Sequence, residues 1–188
     1  MYCELYRRLE TSDEITVPDD TLSVGEELGF VGKSWTEREL EDLLRRKHLH
    51  HFFTKVSGTP DLERQLTHAF RIQEEKSRIE ALCEIPGIGP ALASVILESM
   101  FPDMYGALNY HAWNALRLLS FSLRKKRASH DSFRVHDLMR YLQIIRRLAR
   151  ERGTTPAQVG KALYAYDKAM TDKRWKRQFA LILRLSRR

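Results

Sequence analysis

The sequence predicts an all-α protein. From residue 34 onward, apolar residues recur three and four apart, as in the LEDLL run at 40–44. Residues that start and stop helices stand at the ends of these periodic runs, and no convincing apolar–polar alternation of a half-buried strand occurs outside the first thirty residues.

Taken in order, residues 1–33 form an acidic extension interrupted by Pro18, Gly25, Gly29 and Gly32. It reads as a short helix at 4–10 followed by loop. The helical domain spans 34–188. Thr36 and Glu39 form a capping box for a helix predicted to reach about residue 51, with Leu40, Leu43 and Leu44 on its apolar face. Thr59 as N-cap and Pro60 at the first helical position open a second helix, which carries Leu62, Leu66, Ala69 and Phe70 and is predicted to continue past Ile72. Residues 76–84 bury Ile79, Leu82 and Cys83, and residues 91–100 bury Leu92, Val95 and Ile96. Further helices are predicted over 108–119 and 133–152, the latter closed by Gly153, and from Thr155-Pro156 onward, with a last helix over about 172–185.

Charge is distributed unevenly. Residues 1–100 hold 12 Lys/Arg against 19 Asp/Glu, a net of −7, whereas residues 101–188 hold 20 against 6, a net of +14. The basic half, including Lys125, Lys126 and Arg127, favours a polyanionic partner. No apolar run approaches the length of a membrane span, and the N-terminus lacks the charged leader and apolar segment of a secretory signal, so the expected setting is cytoplasmic or nucleoid-associated, with no membrane partner. Cys3 and Cys83 are the only cysteines, which excludes a disulfide framework and a four-thiolate metal site. His48, His50 and His51 lie close together but have no nearby Cys or carboxylate to complete a metal set.

The most informative stretch is ALCEIPGIGPALASVIL, residues 81–97. Ile85-Pro86-Gly87-Ile88 places Pro and Gly where a type II turn needs a negative and then a positive φ. Gly89 and Pro90 then open the next helix. This exposes the amides of Gly87, Gly89 and Ala91 at the positive end of its dipole, a cradle for an anion. The stretch resembles a helix-hairpin-helix element spanning 78–100. The following NYHAW, residues 109–113, resembles the Val-Asp-x-His-x-Trp segment of the helix-hairpin-helix DNA glycosylase superfamily, the group containing endonuclease III and the 8-oxoguanine glycosylases.

That resemblance covers about residues 78–119 and implies a glycosylase-like helical fold, as one unit or two joined lobes, that binds double-stranded DNA. It implies that the amides of Gly87, Gly89 and Ala91 hold a phosphate, that the main-chain carbonyls of Cys83, Ile85 and Ile88 hold a sodium or potassium ion, and that no small-molecule cofactor is needed. Two positions depart from the family pattern. Ala91 stands where strand-cleaving members carry a lysine, which argues against lyase chemistry through that position. Asn109 stands where the catalytic Asp is expected, and an amide neither carries charge nor takes up a proton near neutral pH. A monofunctional DNA N-glycosylase with impaired hydrolysis is therefore expected; the alternatives are a non-catalytic module for damaged or bent DNA and a helical protein-interaction domain. Asn109 is also a good N-cap for a helix starting at Tyr110.

Overall fold

The computed structural model describes residues 35–125 and 132–171, and among these every regular element is an α-helix. They are α1 (Glu37–Arg46), α2 (His50–Val56), α3 (Leu62–Arg71), α4 (Glu75–Glu84), α5 (Pro90–Met100), α6 (Tyr110–Leu118), α7 (Val135–Arg152) and α8 (Pro156–Thr171). The predicted helices at 4–10 and 172–185 fall outside the described residues.

The capping box forms as predicted: Thr36 Oγ1 accepts from the Glu39 amide at 3.2 Å, and Glu39 Oε2 accepts from the Thr36 amide at 2.8 Å. The helix it opens does not reach residue 51. It stops at Arg46, because His48 turns into the left-handed region (φ 56) and the Leu49 and His48 amides fold back onto the carbonyls of Leu44 and Arg45. This is a Schellman closure, with an apolar residue just beyond it packed on the core. The same device ends α6 at Ser120 (φ 66), followed by Phe121, and ends α7 at Gly153 (φ 63). Only the glycine announces it in the sequence.

Three further helices differ from expectation at their boundaries. At α3 the residue before the helix is Asp61, left-handed and without a side-chain cap, so the helix begins at Leu62 rather than Pro60 and ends at Arg71 with Ile72 extended. The α6 helix begins at Tyr110, not at residue 108, because Asn109 caps it. The α7 helix begins at Val135, where Asp137 Oδ2 accepts from the Arg134 amide at 2.9 Å.

One apolar cluster joins all eight helices, from Trp35 and the leucines of α1 to Leu163 of α8. Its central element is α5, in which every residue from Leu92 to Met100 except Val95 is buried. The pairs α1–α2 and α3–α4 pack together, and α8 lies along α6 and α7. The connection 101–109 between α5 and α6 lacks regular structure but is fastened to its surroundings. Ala107 and Leu108 donate to Glu98 Oε2 and Ser94 Oγ, both at 2.7 Å. Tyr141 Oη donates to the Ala107 carbonyl at 3.1 Å, and Arg146 Nε to that of Met104 at 2.7 Å. Gly106 allows the closest approach, since a Cβ there would lie 2.6 Å from the Pro156 carbonyl oxygen and 2.7 Å from Ile145 Cδ1.

Arg146 also grips Glu75 with both terminal nitrogens, at 2.9 and 2.5 Å, tying α7 to α4. Its guanidinium holds the Glu75 carboxyl below the usual carboxylate range. A depressed folded-state pKa adds stability that is complete above the ordinary value of 4.5 and is lost as pH falls through the folded value. Replacing Arg146 by Gln is therefore expected to cost about 1–3 kcal/mol near neutral pH. The gap to the unaltered protein should narrow in acid, as followed by urea unfolding across the pH range; a gap independent of pH would overturn this account.

Candidate nucleic-acid interface

The turn between α4 and α5 has the predicted geometry. Gly87 has φ 87, and the Ile88 amide donates to the Ile85 carbonyl at 3.0 Å, closing the type II turn. Ile85 and Ile88 are buried and anchor the turn, while Pro86, Gly87 and Gly89 are exposed. Among the described residues, none of the amides of Gly87, Gly89 and Ala91 donates to another protein group. They open on the N-terminus of a buried eleven-residue helix, where partial positive charge accumulates. The back of the turn is filled: a Cβ on Gly87 would lie 2.7 Å from the Lys55 carbonyl oxygen at the end of α2, whereas one on Gly89 would meet nothing within 4 Å.

The residue before Asn109 is linked to the first turn of α5 through a short relay. The Leu108 amide donates to Ser94 Oγ, which itself donates to the Ala91 carbonyl at 2.6 Å. The first turn of α5 and the start of α6 are thereby fixed relative to each other. The side chain of Asn109 caps α6, with Oδ1 accepting from the Ala112 amide at 2.9 Å.

Trp113 belongs to the core, its Nε1 donating to the Arg124 carbonyl at 2.8 Å. Tyr105 is fully buried. Glu98 and Asp137 are buried and serve the 101–109 connection and the start of α7. Lys125 is exposed on the segment that Trp113 and Arg124 hold against α6 and α7; Lys126 and Arg127 lie outside the described residues. Burial pushes the Cys83 thiol up to about 11, so it stays protonated. No three His, Cys, Asp or Glu side chains gather into a metal site among the described residues, His48, His50 and His51 included.

The residue that sequence reasoning missed is Asp167. It is fully buried on α8, and its two oxygens lie 2.7 Å from His111 Nδ1 and 2.5 Å from Asn114 Nδ2, both on α6. The contact orients the imidazole, and His111 remains 31% exposed, with Tyr164 edge-on to its ring. The available signal was a carboxylate at helical spacing from the apolar residues Val159 and Leu163.

No helix among the described residues is long and apolar enough to cross a membrane. No protein-family model matches the chain, and no curated protein or solved structure matches it.

Proposed function

We propose that the chain binds duplex DNA through the α4–α5 hairpin, in the manner of a base-excision DNA glycosylase, and that hydrolysis of the N-glycosidic bond is impaired by Asn109. The observation that carries this reading is the set of amides at Gly87, Gly89 and Ala91, which have no internal acceptor among the described residues and sit at an exposed helix start. Buried backbone donors are almost always satisfied, and an exposed convergent set at a helix N-terminus suits a phosphate oxygen. Contacts made by main chain carry no base preference, so binding is indifferent to sequence.

The carbonyls of Cys83 and Ile88 accept no hydrogen bond from a described residue, and that of Ile85 accepts only the turn bond. Three such oxygens suit a sodium or potassium ion, which would add positive charge behind the phosphate. A purely binding role, as a module for damaged or bent DNA, is favoured over catalysis by one feature: Asn109 is an amide already engaged as a helix cap.

Titrating a labelled duplex with the protein at low salt tests the reading. Expected is weak, sequence-independent binding whose log–log salt slope is about −2 to −4, corresponding to a few phosphates. Absence of binding to both intact and abasic duplexes would end it. Incubation with a panel of damaged duplexes, followed by alkali to reveal abasic sites, separates an excising enzyme from a binder.

A further inference from the structure

An open cleft of about 340 Å³ lies between Trp35 and α3, lined by Trp35, Glu63, Arg64, Thr67, His68 and Arg71. Arg64, Thr67, His68 and Arg71 follow one another at three- and four-residue steps, so they share one face of α3, and the two arginines stand two turns, about 10 Å, apart along it. Trp35, only 1% exposed, stacks on Phe70 of the same helix with ring centroids 5.3 Å apart, which fixes the wall of the cleft. The side chains of Arg64, His68 and Arg71 are exposed and make no hydrogen bond or ion pair. Glu63, the one acid among the lining residues, is turned to α1, where its Oε1 accepts from the Glu37 amide at 2.9 Å. The cleft therefore offers two guanidiniums without an internal carboxylate, and each has the fork of donors that suits one.

The chain carries the complementary charge at the edge of this cleft. Residues 1–33 hold eight Asp/Glu against three Lys/Arg, a net of −5, and they join the helical domain next to Trp35. Glu27 is eight residues from Trp35, and a chain spans at most about 3.6 Å per residue, so its carboxylate is tethered within easy reach of both arginines. A tether of this kind gives an effective concentration of roughly 1 mM, at which a segment with a dissociation constant of about 0.1 mM is seated about 90% of the time. The same segment on a separate molecule at micromolar concentration would leave the cleft empty. Tethering thus favours the chain's own acidic segment over a free acidic peptide.

We propose that the acidic segment 1–33 docks in the Trp35–α3 cleft, its carboxylates, Glu26 and Glu27 first among them, engaging Arg64 and Arg71. Docking neutralises the α3 cations and withdraws them from any polyanion bound elsewhere on the chain. It gives the segment a role within the molecule that does not depend on the DNA-binding reading.

The test uses the full chain with Arg64→Lys and, separately, Arg71→Lys, which keep the charge and supply an amine. A zero-length carbodiimide joins an amine to a carboxylate in contact with it as an amide, with loss of water. Expected is a link within one chain, mapped by peptide mass from the introduced lysine to a carboxylate of residues 1–33. Arg38→Lys, exposed on α1 outside the cleft, should give a yield several-fold lower. In addition, a lysine-specific protease should cut after Lys33 about tenfold more slowly in the unaltered protein than in the double variant Arg64→Ser, Arg71→Ser, and high salt should remove the difference. Links between two chains in place of one, no link to residues 1–33, an equal yield from Arg38→Lys, or equal cleavage rates at low salt would overturn the proposal.

Discussion

Asn109→Asp is expected, on the proposed glycosylase reading, to raise base excision by about 10²–10⁴-fold over the unaltered protein. The substitution changes charge and proton affinity while nearly preserving shape. Asp and Asn cap helices equally well, so the bond to the Ala112 amide and the relay through Ser94 should persist. A carboxylate there would stabilise positive charge developing on the sugar and could help activate water, two things an amide cannot do. Asn109→Ala is the necessary companion: it loses the cap, at about 1 kcal/mol, and should leave excision no higher than in the unaltered protein. No gain with Asp, or excision by the unaltered protein that Ala leaves intact, would show that the chemistry does not centre on position 109.

Gly87→Ala is expected to destabilise the protein by about 2–5 kcal/mol, combining roughly 1–2 for the left-handed backbone with roughly 1–3 for overpacking. A methyl at this position must adopt φ 87 and would press to 2.7 Å on the Lys55 carbonyl oxygen, a main-chain atom that cannot swing aside. Relief requires moving the turn away from α2, which spoils the convergence of the amides, so DNA affinity should fall along with the urea midpoint. Gly89→Ala is the contrast, with an ordinary φ of −94 and open space around the added methyl. Its unfolding free energy should change by less than about 1 kcal/mol. Equal losses in the two variants would refute the close contact with α2 as the cause.

Much of the fold was legible because it is written locally. Leu40, Leu43 and Leu44 mark a buried stripe, the Thr36–Glu39 pair marks its start, and Gly153 marks the end of α7; all three readings hold. The break at His48 was not legible, because a left-handed histidine is held there by its neighbours rather than by its own preference. Leu49 and Phe121, apolar residues just past helix ends, were the usable hint. The same division runs through the candidate site. The turn at Ile85–Ile88 and the cap at Asn109 are set within a few residues and could be read directly. Asp167 gains its surroundings only when α8 is laid against α6, and nothing adjacent in the chain announces that.

The irregular stretch from Phe101 to Asn109 differs from an ordinary surface loop. Its inner amides and carbonyls are taken by α5, α7 and the start of α8, and Gly106 leaves no space for even one methyl. Adding or deleting one residue would put every later group out of step with its partner and swing the start of α6 away from the hairpin. Length here is as constrained as residue identity is in the core, and a graft, tag or insertion belongs elsewhere on the molecule.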